Sequence, residues 1–336
     1  MIPPLAPTFD AALRDVSANG ARFRIAAANR LGAAPEERRG EAVAGLRTLM
    51  GDPVGPVREA AFEAAGELGA PETLAQLLLG FDDEDRGARQ SAVLAAGRVA
   101  PEQATPSIEQ LLEDNRPEMR FSAVWTLSKI GAVTPETLVA RLDDGDDEVR
   151  MVALECLATA DARAHTDHVA RLLEDPASGI PLAAASTLAA LGDSRGAGTL
   201  RRALSEDAHA FDAAIALGDL RDQESLGALT AMARKRFGSP ILRAAAARAL
   251  VRLGQPEGTA IIRKILRSWR IEARQYAAEL VGELELVELL PDLERAWRRS
   301  RGSAQPAYEA SLERLASKSS EARALLASVR ATDHPT

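Results

Sequence analysis

A short pattern recurs along the chain: an apolar residue, usually an arginine, then an apolar run rich in alanine. It reads Phe23-Arg24, Val57-Arg58, Ala88-Arg89, Met119-Arg120, Val149-Arg150, Ile180-Pro181, Phe211-Asp212, Leu242-Arg243, Ala273-Arg274 and Tyr308-Glu309. Taking the second residue of each pair as an anchor, the spacings are 34, 31, 31, 30, 31, 31, 31, 31 and 35 residues. The position before the anchor is apolar in all ten units, and the position three after it is alanine in eight. Seven and ten after it come residues such as Leu127 and Ile130, or Leu250 and Leu253. Positions −1, 3, 7 and 10 share one side of a 3.6-residue helix, so each anchor predicts a helix with one buried stripe.

Gly32, Gly69, Gly131, Gly192 and Gly254 follow these stripes, where a left-handed C-cap is expected. Pro35-Glu36, Pro71-Glu72, Pro101-Glu102, Pro135-Glu136 and Pro256-Glu257 then open the next unit's first helix, since proline suits the first helical position and acid suits the first turn. No strand-like alternation intervenes. A period of this size marks a solenoid, in which each unit buries its apolar face against its neighbours. The expected fold is all-α, a right-handed α-solenoid of ten helix pairs over residues 1–330. A closing helix is expected near Ser320–Arg330, and a flexible tail at 331–336.

The tetratricopeptide pattern of Trp, Leu-Gly and Tyr is missing, as is the ankyrin Thr-Pro-Leu-His. The segments PVGPVREAAFEAAGELG, DDEVRMVALECLATA and ILRAAAARALVRLG closely resemble the second helix of short HEAT-like repeats, the kind first grouped with the phycobilin lyases. The resemblance spans about residues 9–320. It implies a helical superhelix with the second helices on the concave side. It is specific for fold rather than function, because such repeats occur in scaffolds, adaptors, lyase subunits and some enzymes.

Composition refines this picture. Hydrophobic residues make up 46% but aromatics only 4%, so the interior is mainly Ala, Leu and Val. Arginine outnumbers lysine 37 to 4, which reads as the codon bias of a GC-rich bacterial genome. Cys156 is the only cysteine, which excludes an internal disulfide. The opening MIPPLAPTFDAALRD has neither a basic region nor an apolar stretch, and no apolar run suits a membrane span, so a cytoplasmic protein is expected.

Catalytic chemistry finds little support. His165 and His168 lie three apart with Asp161 and Asp167 nearby, but no second cluster completes a metal site. HEAT-like iron hydroxylases use His-Glu dyads, and no His-Glu dipeptide occurs. No glycine-rich phosphate loop, nucleophile elbow or Cys-His pair is present. Trp125, Trp269 and Trp297 could suit the aromatic face of a HEAT-like DNA glycosylase, but the middle of the chain is acidic. We therefore expect no enzyme, and no catalytic, cofactor or metal site. The anchor arginines, at seven of ten positions, read as a structural ladder in which each pairs with an acid in the preceding turn, for example Asp144 or Asp146 before Arg150.

Two surface features exceed what folding requires. Residues 51–200 carry 26 acidic and 12 basic side chains, a balance of −14; residues 201–336 carry 18 and 22, a balance of +4. The turns before the second helices read Asp82-Asp83-Glu84-Asp85 and Asp143-Asp144 in the middle units. Later the same region reads Arg234-Lys235-Arg236, Arg263-Lys264 with Arg267, and Arg298-Arg299 with Arg301. This basic arc is a candidate for an anionic partner. The second feature is apolar. Positions 1, 5 and 8 after the anchor point away from the buried stripe, and in the central units they hold Leu94, Phe121, Trp125, Met151 and Leu182, with Glu155 at the rim. The expected function is a non-catalytic scaffold or adaptor holding a protein or peptide on this patch. Binding of nucleic acid or an acidic partner through the basic arc ranks second, and a lyase- or glycosylase-type enzyme third.

Overall fold

The computed structural model describes residues 8–160, 162–235, 238–300 and 305–333. The chain forms two compact units, Met1–Ala160 and Asp161–Thr336. Arg236 and Arg301 of the basic arc, and Asp161 beside the histidine pair, lie outside the described residues. All regular structure among the described residues is helical.

The first unit contains α1 (Phe9–Asp15), α2 (Ala21–Gly32), α3 (Arg39–Leu49), α4 (Gly55–Leu68), α5 (Leu74–Leu79), α6 (Arg86–Val99), α7 (Pro101–Gln110), α8 (Pro117–Lys129), α9 (Pro135–Arg141) and α10 (Asp147–Thr159). The second contains α11 (Thr166–Arg171), α12 (Ile180–Ala190), α13 (Ala197–Ala203), α14 (Ala210–Asp219), α15 (Leu226–Arg234), α16 (Pro240–Arg252), α17 (Pro256–Ile265), α18 (Ile271–Glu283), α19 (Leu290–Arg299), α20 (Gln305–Ala316) and the closing α21 (Ser320–Asp333). Each anchor falls in an even-numbered helix from α2 to α20. Within each unit the even helices stack on one another, α2 to α10 in the first and α12 to α20 in the second. This is the α-solenoid architecture.

Small residues let the even helices approach closely. A Cβ on Gly32 would stand 3.0 Å from Ala64, one on Gly66 3.2 Å from Ala95, and one on Gly97 2.3 Å from the Thr126 Cγ2. In each case position 8 of one helix meets position 6 of the next (24 + 8 against 58 + 6, and so on). Position 8 is therefore part of the helix–helix seam. The expectation that it faces solvent fails, and the more open positions are 1 and 5, except in α16, where Ala244 and Arg248 are buried. Gly32 is likewise a seam residue rather than a C-cap. Gly69, Gly131, Gly192 and Gly254 do adopt left-handed φ of 60°, 71°, 82° and 75°. Arg221 and Glu285 take the same conformation after α14 and α18, at φ 53° and 56°.

The seam also corrects two anchors. Gly218 meets Ala249, which is position 6 of the Arg243 unit, so the seventh anchor is Ala210 (218 − 8) rather than Asp212. Ala213 and Leu217 then occupy the buried positions 3 and 7. Gly282 meets Ser311, so the tenth anchor is Gln305 (311 − 6) rather than Glu309, and Tyr308 and Leu312 become the buried pair. In alanine-rich helices an apolar stripe matches itself after one turn, which is how the sequence pattern slipped by four residues in the tenth unit.

Candidate functional site

The arginine ladder is structural, but its geometry differs from expectation. Arg24 holds the Asp52 carboxylate through Nε at 2.6 Å and Nη2 at 2.9 Å. Arg58 holds Asp83 at 2.7 and 2.6 Å, and Arg120 holds Asp144 at 2.8 and 2.7 Å. Each acid lies in the following unit's turn, not the preceding one. The preceding turn supplies a main-chain carbonyl six residues back, so Arg150 donates to the carbonyl of Asp144 at 2.8 Å while that residue's carboxylate belongs to Arg120. The reason is geometric. A side chain in the first helical turn leans toward the N-terminus, so one guanidinium nitrogen reaches its own turn and the bidentate edge is left for the next layer. Arg89 departs from the pattern, because Arg116 occupies Asp114, and pairs with Glu118 at 2.7 Å.

Burial pushes the carboxyls of Asp52, Asp83 and Asp144 up. The hydrogen bonds from their arginines and from one backbone N–H each outweigh it and hold all three below the usual aspartate range.

With the ladder arginines of the first unit engaged in its frame, positions 1 and 5 of its even helices remain for ligands. In the first unit Phe121, Met151 and Glu155 line one shallow pocket of about 460 Å³, together with Gln90, Asp147, Glu148 and Val152. Phe121 and Met151 are half-buried and Glu155 is exposed. Trp125 is half-buried with the Lys129 ammonium 4.2 Å above its ring, and it does not line this pocket. Leu94 is half-buried and also lies off it. Leu182, in the second unit, packs against the cluster of Ala185, Leu200 and Leu217.

The even-helix face of the second unit has a different character. The buried Arg248, at position 5 of α16, bridges Asp219 at 3.0 Å and Glu283 at 2.6 Å. Burial pushes the neighbouring Tyr276 hydroxyl up to about 12. This charged bridge covers the position that carries Trp125 in the first unit. Nothing in the sequence pattern singled it out, because Arg248 sits amid alanines and its two acids come from other helices.

The basic arc is partly neutralised within the fold. Arg234 pairs with Glu257, and Arg298 with Glu294. Arg263, Arg267 and Arg295 converge on the buried Asp292 carboxylate at 3.3, 2.9 and 3.0 Å. Lys235, Lys264 and Arg299 are exposed. The turn into α18 also presents Trp269, 83% exposed, with the Arg270 guanidinium 5.3 Å from its ring. Asp292→Asn should release the three guanidiniums. It should cost only about 1 kcal/mol, since their heads are half in water and can turn outward. The variant should elute from immobilised heparin at higher salt than the parent; identical elution would show that these cations do not present outward.

His165 and His168 stand with ring centroids 6.0 Å apart, and Asp167 pairs with Arg195 at 2.7 Å. Among the described residues no group of three His, Cys, Asp or Glu is placed to hold a metal ion. None of the described helices is long and apolar enough to cross a membrane.

The sequence profile of HEAT repeats matches residues 74–138 and 135–212, and that of the PBS lyase HEAT-like repeat matches residues 242–268. The chain is a HEAT-like repeat protein. No curated protein matches it in sequence. Among solved structures, YibA of Escherichia coli is 17% identical with a TM-score of 0.56, over 74% of this chain and 93% of that one. Kap95p, solved with RanGDP, is 13% identical with a TM-score of 0.46, over 96% of this chain and 52% of that one. The complex of CpcE and CpcF of phycocyanin lyase from Nostoc is 18% identical with a TM-score of 0.36, over 76% and 92%. The first likeness speaks to fold alone, and nothing further rests on the other two. Membership of a repeat family neither assigns nor excludes a reaction.

Proposed function

We propose that this HEAT-like repeat protein is a non-catalytic scaffold or adaptor that holds a protein or peptide on the face formed by its even helices. The observation that carries the reading is the pocket of Phe121 and Met151 in the first unit. Two large apolar side chains are left half in water there, where units nearer the ends of the array place Glu59 and Glu63 or Gln275 and Glu279. Exposed apolar groups gathered in one place mark an interaction surface. The pocket wall carries the carboxylates of Asp147, Glu148 and Glu155 and no cation. The partner that fits is a segment with an apolar anchor flanked by lysine or arginine.

Partners captured from the native organism by the full chain, and identified by mass spectrometry, supply the ligand for the test. The double variant Phe121→Ala/Trp125→Ala should bind that ligand more weakly by about 2 kcal/mol or more, with an almost unchanged melting temperature. A variant that loses several degrees of stability and binds like the parent would make these side chains part of the packing and refute the reading.

A further inference from the structure

The second unit contains a cavity of about 590 Å³ between α13, α15 and α16, within the size range of small-molecule sites. Its apolar floor is formed by Leu204, Met232 and Leu242, with Ala228 and Ala231 beside them. Arg201, Lys235 and Arg243 supply positive charge, and Asp207 is its one lining carboxylate. Arg201 is already engaged by Asp222 and Glu224. Lys235 and Arg243 have no carboxylate partner among the described residues.

Arg243 is the informative one. It occupies the ladder position at which Arg24, Arg58 and Arg120 each grip an aspartate of the following turn. Here that turn reads Arg267-Ser268-Trp269-Arg270 and offers no acid. Among the described residues Arg243 donates only its Nε, to the Ala233 carbonyl at 3.2 Å, and neither terminal nitrogen meets a carboxylate. A ladder guanidinium without its anion therefore stands at the wall of an apolar-floored cavity, with a second free cation beside it.

We propose that this cavity binds a small amphiphilic anion. Its carboxylate, sulfonate or phosphate head would lie between Arg243 and Lys235, replacing the missing aspartate, and its aliphatic body on Leu204, Met232 and Leu242. The ligand is a free molecule; an acyl lipid within a bilayer offers the same chemistry and is separated from it by the test. The site is distinct from the Phe121 pocket and of opposite charge preference, so either can fail without the other.

Decanoate below its micelle concentration, titrated into the full chain by calorimetry, is the probe. Saturable binding is expected for decanoate and none for decyltrimethylammonium. Loss of one charge-assisted hydrogen bond should weaken decanoate about tenfold in Arg243→Gln and in Lys235→Gln. Lys235 is exposed, so its variant reports on the site even if the Arg243 variant misfolds. Ala231→Leu, which adds bulk to the cavity wall, should also weaken binding, whereas Phe121→Ala should leave it unchanged. The proposal is overturned if decanoate does not bind, if both detergents bind alike, or if Lys235→Gln and Ala231→Leu bind as the parent does. It is equally overturned if phosphatidylglycerol vesicles sediment the protein while dissolved decanoate leaves it untouched.

Discussion

Arg58→Ala should be the most damaging single substitution in the ladder, costing about 3–5 kcal/mol near neutral pH, as expected when one partner of a buried ion pair is removed. Arg58 is 9% exposed and makes a bidentate pair with Asp83 while donating to the Asp52 carbonyl at 2.7 Å. Its removal strands a carboxylate whose remaining hydrogen bond is the Asp85 N–H at 2.8 Å. It also leaves the Asp52 carbonyl without this donor.

The pH dependence carries a sign. The Asp83 carboxyl lies below its usual range in the folded chain, so the pair's stabilisation is present above the unfolded value and is lost as pH falls through the folded one. Parent and variant should therefore differ most above about pH 5 and converge as pH falls well below about 4, where the carboxyl is neutral in both. Urea midpoints measured across this range check it. A difference that persists undiminished in acid would place the cost in packing instead of charge.

Gly97→Ala should destabilise, although glycine-to-alanine changes inside helices ordinarily stabilise by about 0.5–1 kcal/mol. The added Cβ would stand 2.3 Å from the Thr126 Cγ2, far inside van der Waals contact, so the buried Thr126 side chain must turn or α6 and α8 must separate. Overpacking of this kind costs about 1–3 kcal/mol. Thr126 is 2% exposed, and among the described residues its Oγ1 has no hydrogen-bond partner. Thr126→Ala removes both the obstructing methyl and that unsatisfied hydroxyl. The double variant should recover most of the loss, giving a favourable coupling between the two sites in a double-mutant cycle. If Gly97→Ala is neutral or stabilising, the seam is looser than described and position 8 is not where the helices are held apart.

Much of the architecture was legible before any coordinates. Each unit repeats the same local problem, an apolar stripe on a short helix, and solves it with its neighbours alone. Periodicity therefore located ten even helices and the closing α21. Helix-ending glycines were found where the backbone needs a positive φ, as at Gly69 and Gly131. The apolar pocket was legible in part. Phe121, Met151 and Glu155 leave the stripe in the sequence pattern, and they line one pocket. Trp125 and Leu94 sit off it, although they lie one turn beyond Phe121 and Gln90, which do line it.

What the amino-acid sequence by itself determined about this protein is the content of one layer: all-helical structure, the repeat near 31 residues, the buried stripe and the placement of an arginine at seven of the ten turns. Only the tertiary structure decided what happens between layers. It set which aspartate each arginine holds, put position 8 into the seam, moved two anchors and brought three arginines onto Asp292. It also left Arg243 without an acid at a cavity wall. The physical reason is that periodicity within a unit specifies which face is buried, whereas the offset between stacked units depends on how side chains of two different helices interlock. That offset decides which charges meet.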